Sequence, residues 1–163
     1  MSINISEIIV GILLAVLVSA ITSYCTISYQ LHTNTDLEIK KQTFFDISND
    51  AGQRLQNLRE VWAHQYYPGD ERELQGLLEN GKISKVDWES KVHTYSALLV
   101  QYFSTEDYSF FHEKLNNAFY HLYNRLIKEY HHGDKALLNE IEVQLDSLRD
   151  NLIYFNMRLI DQF

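Results

Sequence analysis

The chain begins with a long apolar stretch. Nearly every residue from Ile8 to Ile21 is apolar, and no charged residue occurs from Ile8 to Leu31. A helix needs about 20 such residues to cross the hydrocarbon core of a bilayer. We therefore expect an N-terminal transmembrane segment over residues 1–33. A cleaved secretory signal peptide is the alternative. It is disfavoured because no Lys or Arg precedes the apolar run and no small-residue cleavage site follows it.

The rest of the chain, residues 34–163, has the hydrophobic spacing of helices. Between residues 36 and 66 apolar side chains recur mostly at intervals of three, four or seven, as on one buried helix face. One Pro and six Gly in the whole chain leave few positions at which helices break. We therefore predict an all-α fold, in which an N-terminal transmembrane helix runs nearly continuously into a helical bundle.

Turn and capping residues predict where the later helices start and stop. A turn is expected at residues 66–70, where Asp70 can cap a short helix that ends near Gly81. The remaining helices are expected from Ser84 to Phe103, from Ser104 to His131, and from a cap at Asp134 to Ile160.

The last predicted helix has a regular seam. Seven apolar residues alternate spacings of three and four, which is the a/d pattern of a heptad: Leu138, Ile141, Leu145, Leu148, Leu152, Phe155 and Leu159. Such a seam fits the core of an antiparallel bundle. It also fits a subunit interface, and the two interpretations do not exclude each other.

The charges beside the apolar stretch predict its orientation. Lys40, Lys41, Arg54 and Arg59 follow the stretch, whereas Glu7 precedes it. Positively charged flanks remain in the cytoplasm. We therefore expect a single-pass protein of the cell inner membrane whose C-terminal domain is cytoplasmic.

The predicted span also contains a pattern of small and hydroxylated residues. Small side chains recur at every fourth position, which lets helices approach closely, and two threonines lie beside them: Gly11, Ala15, Ser19 and Ser23, with Thr22 and Thr26. Either the hydroxyls bond only within their own helix, or they line a helix interface or a narrow pore. Because one helix cannot enclose a pore, the second interpretation predicts a homo-oligomer in the lipid bilayer.

Composition and motifs exclude several kinds of chemistry. The net charge is −8 and no basic run extends beyond Lys40 and Lys41, so duplex nucleic acid is not an expected ligand, while RNA binding is left open. Cys25, the one cysteine, cannot form a disulfide or a cysteine zinc site within one chain. No HExxH, GxSxG or Gly-rich phosphate loop occurs. We therefore expect no metal and no cofactor.

Two Arg–His pairs are the remaining candidates for catalysis. Arg59 and His64 form an Arg-x4-His motif, and Arg125 and His131 form Arg-x5-His. In metal-independent RNA cleavage, the His would move a proton at the ribose 2′-hydroxyl and the Arg would hold the phosphate. Neither pair shares a face of an ideal helix, so a working pair needs a bend or a helix end between its members.

A helical bundle with Arg-x4–6-His motifs resembles the HEPN fold of prokaryotic defence ribonucleases. With one N-terminal apolar helix, the chain is similar to the membrane accessory proteins of type VI-B CRISPR loci. The resemblance implies a homo-oligomeric membrane pore that depolarises the cell envelope together with the RNA-guided RNase of the locus.

The residue after each Arg departs from the pattern of active HEPN ribonucleases, which usually have Asn, Asp or His there. Glu60 follows Arg59, and Leu126 follows Arg125. This departure implies a degenerate, non-catalytic HEPN-like domain. A membrane-tethered, metal-independent ribonuclease and a non-catalytic membrane scaffold or sensor subunit are the alternatives.

Overall fold

The structure is a computed structural model. It describes the backbone of residues 5–128 and 134–163 and the side chains of residues 18–128 and 134–163. Every regular element in these ranges is helical. The elements are α1 (Ile5–Tyr66), α2 (Glu71–Tyr102), α3 (Thr105–Phe110), a π-helical segment (Phe111–Asn116), α4 (Asn117–Tyr123), a second π-helical segment (Asn124–Lys128) and α5 (Lys135–Ile160). The elements from Thr105 to Lys128 follow one another without a break, and we call them the third rod.

The predicted transmembrane helix is wrong. No helix in the described part of the chain is both long and apolar enough to cross a membrane. The described side chains of α1 give the reason, because from Ser19 onward hydroxyl and amide side chains interrupt the apolar positions at nearly every turn. The side chains of the predicted span up to Leu17 lie outside the described residues.

The chain divides into two units, Met1–Ile39 and Lys40–Phe163. In the first unit, α1 is the one described element, and all its side chains from Val18 to Thr35 are exposed. The second unit contains the last part of α1 and the remaining helices, and it holds the hydrophobic core.

Apolar side chains from α1, α2, the third rod and α5 fill the core of the second unit. Its largest fully buried members are Trp88, Phe111, Phe119 and Phe155. The seam predicted on the last helix is confirmed as core, because all seven of its residues are buried.

The predicted starts of three helices are confirmed by side-chain caps. Asp70 accepts a hydrogen bond from the backbone N–H of Arg72 at the start of α2, and Asp134 accepts one from Leu137 at the start of α5. Ser104 and Asp107 form a reciprocal capping box at the start of α3. These caps satisfy backbone donors that have no partner within the helix.

The predicted helix end near Gly81 and the new start at Ser84 are wrong, because α2 is continuous from Glu71 to Tyr102. Gly81 is buried where α2 meets the third rod. A Cβ atom at this position would overlap Cδ1 of Ile127. The glycine therefore allows two helices to pack closely, and it does not end a helix.

The third rod contains two π-helical segments, which widen the turn. Phe111, Leu115 and Phe119 are spaced four residues apart and are all fully buried. A spacing of four drifts around a regular α-helix, and the wider π turn reduces that drift. The first π-helical segment therefore helps to keep three successive side chains on the core side.

Candidate functional site: the exposed face of α1

Arg59 and His64, the first predicted catalytic pair, lie on different sides of α1. They are five residues apart in one α-helix, which separates their side chains by about 140° around the axis. Arg59 faces α5, where its guanidinium lies 2.5 Å from a carboxylate oxygen of Asp146. The guanidinium that was expected to hold an RNA phosphate is therefore paired with a carboxylate of its own chain.

His64 lies beneath the turn between α1 and α2. Its side chain is only 10% exposed, and its Nε2 lies 3.8 Å from a carboxylate oxygen of Glu73. A Cβ atom added to Gly69 would lie 3.2 Å from the same nitrogen, so the turn covers the ring closely. A general base must reach the proton that it removes. The structure therefore does not assemble Arg59 and His64 into one accessible site.

The second predicted pair is described only in part. Arg125 forms an ion pair with Glu140 of α5, with an N–O distance of 3.0 Å. His131 lies outside the described residues. The one member of the pair that the structure places thus already has an acidic partner within the chain.

A polar cleft of about 300 Å³ between α1 and α2 is lined by Asp50 and Asp87, which both belong to an internal ion-pair network. The ammonium group of Lys91 lies 2.9 Å from both Asp50 and Asp87, and these hydrogen bonds raise the pKa of Lys91. The Tyr95 hydroxyl also donates to Asp50, and burial together with this bond raises the pKa of Tyr95. Among the described residues, no group of three His, Cys, Asp or Glu side chains could hold a metal ion.

Ser96 and His112 form a hydrogen-bonded pair, with Oγ and Nε2 2.7 Å apart. Burial, followed by the nearby His93, lowers the pKa of His112. The Ser96 hydroxyl also lies 2.6 Å from the carbonyl oxygen of Val92, to which it can donate. The Ser96–His112 pair joins α2 to the third rod.

The residues predicted to line a helix interface or a pore fall into two groups. The side chains of Gly11 and Ala15 lie outside the described residues. The other four are exposed on α1: Ser19, Thr22, Ser23 and Thr26. Thr22 donates to the carbonyl of Val18 at 2.8 Å, and Thr26 donates to that of Thr22 at 2.9 Å. These two hydroxyls thus bond within their own helix and need no partner from elsewhere.

The same stretch of α1 exposes large apolar side chains. Six of them are more than half exposed: Val18, Ile21, Tyr24, Ile27, Tyr29 and Leu31. No Asp, Glu, Lys or Arg occurs between Ile8 and Thr35. Large exposed apolar patches on proteins usually mark interaction surfaces. This stretch is therefore the strongest candidate for a functional surface in the described chain.

Four apolar residues form a line along one side of this stretch. At about 100° per residue, Ala20, Tyr24, Ile27 and Leu31 fall on that side, and we call these four residues the α1 seam. Thr22 falls on the opposite side, together with the exposed apolar side chains of Val18 and Tyr29. The sequence analysis did not single out the seam because it treated the whole stretch as a membrane span.

Comparisons with known proteins identify no relative. No family model matches the chain, and no curated protein or solved structure is significantly similar to it. The resemblance to HEPN-type accessory proteins therefore has no support from these comparisons.

Proposed function

We propose that the protein is a non-catalytic assembly subunit that binds another protein chain through the α1 seam. The observation that carries this proposal is the exposure of Tyr24, Ile27 and Leu31, which are 73%, 57% and 63% exposed. Burial of apolar surface is favourable by about 25 cal/mol per Å². A chain that covers the seam therefore gains free energy from each of these side chains.

The second unit supports this proposal because it is closed on its own. Apolar side chains of α1, α2, the third rod and α5 fill its core, and polar side chains cap the starts of α2, α3 and α5. The surface proposed to bind a partner lies in the first unit. There α1 is the one described element, and its side chains from Val18 to Thr35 are exposed. Binding at the seam thus requires no opening of the core.

RNA cleavage is not part of the proposal. Arg59 is paired with Asp146, and the ring of His64 lies beneath Gly69. The ribonuclease alternative stays a prediction. So does the antiviral role beside an RNA-guided RNase that the resemblance implies, and assembly through the α1 seam does not depend on it.

Site-specific photocrosslinking in living cells tests the proposal. The photoreactive residue benzoylphenylalanine replaces Tyr24 or Ile27 in the full-length protein, and it replaces Thr22 or Thr26 in the matched controls on the opposite side. We expect covalent protein adducts from the first two positions and few from the controls. If no position gives a protein adduct, or if all four give the same adducts, the proposal is wrong.

A further inference from the structure

His112 lies at the contact between α2 and the third rod. It belongs to the first π-helical segment, and its Nε2 atom lies 2.7 Å from Oγ of Ser96 on α2. The ring of Tyr108, one turn earlier in the third rod, lies 4.6 Å from the imidazole of His112 between centroids. Both Ser96 and His112 are half-buried. Their hydrogen bond therefore holds the imidazole at the contact, whichever of the two atoms carries the shared proton.

His93 faces the same contact from α2. It precedes Ser96 by three residues, so the two side chains lie on one side of that helix. The His93 side chain is exposed, and it is close enough to His112 to affect the pKa of that imidazole. Because the two imidazoles belong to different elements, positive charge on both repels α2 from the third rod.

Neither imidazole has a carboxylate partner in the described part of the chain. Among the described residues, the histidines within ion-pair distance of a carboxylate are His32 and His64. Burial of a positive charge is unfavourable unless a partner of opposite charge offsets it. Protonation of the half-buried His112 therefore adds a charge that the surrounding side chains do not neutralise.

We propose that His93 and His112 form an acid-sensitive latch between α2 and the third rod. With both imidazoles neutral, the hydrogen bond between Ser96 and His112 joins the two elements. At mildly acidic pH, protonation gives the two rings like charges across the contact, and the contact opens locally. The latch lies in the second unit, so it does not depend on binding at the α1 seam.

The pKa of His112 gives the direction of this effect. Burial, followed by the nearby His93, lowers the pKa of His112 from the ordinary value of 6.5. A histidine whose pKa is lower in the closed contact binds a proton more tightly once the contact is open. Acid therefore favours opening as the pH falls below about 6.5. The contribution of Asp107 to stability is lost only below about pH 3.9, so the two effects occur in separate pH ranges.

Hydrogen–deuterium exchange of the full-length protein at about pH 7.5 and about pH 5.5 tests the latch. The rates are first corrected for the pH dependence of chemical exchange. Amides in residues 88–102 of α2 and in residues 108–117 of the third rod should then exchange at least about twofold faster at the lower pH. Exchange in α5 should change less than in these two segments.

Three variants assign the acceleration to particular histidines. His112→Gln keeps a side chain that can form a hydrogen bond with Ser96 but cannot be protonated, so it should abolish the acceleration. His93→Gln removes the second charge, so it should move the NMR titration midpoint of His112 to higher pH. The matched control is His121→Gln, which replaces an exposed histidine of the same rod and should leave the acceleration unchanged. Circular dichroism at the higher pH checks that the variants fold.

Equal corrected exchange at the two pH values, or the same acceleration in His112→Gln as in the wild type, overturns the latch. A comparable acceleration throughout α5 also overturns it, because it shows a general loss of stability in acid. If His112→Gln does not fold, the titration of His112 in His93→Gln decides, and an unchanged midpoint overturns the proposal.

Discussion

Arg158 donates a hydrogen bond from Nε to a carboxylate oxygen of Asp107, 2.8 Å away. Asp107 is fully buried at the start of α3, and it also accepts hydrogen bonds from Ser104 and Gln162. Arg158 lies in the last turn of α5. The pair therefore joins the C-terminal end of α5 to the N-terminal end of the third rod.

Replacement of Arg158 by Met should destabilise the bundle by about 2–3 kcal/mol, because it leaves the buried carboxylate of Asp107 without its cation. The matched control is Arg149→Met, since the partners of Arg149 among the described residues are the half-buried Asp146 and the exposed Asp150. Loss of such surface pairs should cost less than about 1 kcal/mol. Denaturant unfolding measures both changes. Equal losses in the two variants would show that the buried pair has no special role.

Acid should remove the contribution of Asp107 to stability. Burial alone would raise its pKa, but hydrogen bonds from Ser104, Gln162 and Arg158 outweigh burial, so the pKa of Asp107 is lowered. A carboxyl group whose pKa is lower in the folded state stabilises the protein above its unfolded pKa, about 3.9. This stability is lost as the pH falls through the lower, folded pKa.

The pH dependence can be measured by unfolding from about pH 6 to about pH 2. The wild type should be more stable than Asp107→Asn at the upper end, and the difference should shrink toward the lower end. A difference that does not change with pH would contradict the lowered pKa of Asp107.

Two glycines of α2 should respond oppositely to alanine. Gly76 has open space around it, so Gly76→Ala should stabilise the protein by about 0.5–1 kcal/mol through helix propensity. Gly81→Ala should instead destabilise by about 1 kcal/mol, because Ile127 must leave its position. Thermal unfolding of the two variants measures the contrast.

A double variant locates the cause. Ile127→Val removes the Cδ1 atom that a Cβ at position 81 would overlap. Gly81→Ala should therefore cost less in the Ile127→Val background than in the wild type. If the cost is the same in both backgrounds, the close approach of Gly81 to Ile127 does not explain it.

Arg54 should be replaceable without loss of stability. It is 4% exposed, and its guanidinium lies over the rings of Trp88 and Phe119, 5.4 and 4.9 Å from their centroids. Burial, opposed by the attraction of Glu89, lowers the pKa of Arg54 to about 10. The cation remains charged at neutral pH, so the cost of its burial is fully present there.

Arg54→Met keeps the packing and removes the buried charge, and it should stabilise the protein by about 1 kcal/mol at neutral pH. Denaturant unfolding checks this, with the exposed Arg72→Met as the control that should stay within about 0.5 kcal/mol of the wild type. A clear loss with Arg54→Met would show that stacking on the two rings outweighs the cost of the buried charge.

Much of the bundle could be predicted from local sequence signals. The caps at Asp70, Ser104 and Asp134 act within a few residues of themselves, so their chemistry determines where α2, α3 and α5 begin. The seam of α5 was predictable for the same reason, since its spacing alone shows which side is apolar. Gly81 was misjudged because a glycine that ends a helix and one that admits a neighbouring helix look alike until the neighbour, Ile127, is known.

The candidate site was less predictable. The Arg-x4-His motif gave no information about the partners that Arg59 and His64 find across the fold, Asp146 and Glu73. Hydrophobicity drew attention to the N-terminal stretch, and its total amount led to the prediction of a membrane span. The exposed fractions of Tyr24 and Ile27 come from the structure, whereas their spacing along α1 is already present in the sequence.

Photocrosslinking from position 24 tests most directly whether another protein chain binds at the α1 seam. Tyr24 is 73% exposed, so benzoylphenylalanine at this position reaches a chain that covers the seam. The adducts should disappear with Ile27→Glu, which places a charge within the seam, and persist with Thr26→Glu, which places the same charge outside it. No adduct from the otherwise wild-type chain, or the same adducts in both variants, would contradict binding through the α1 seam.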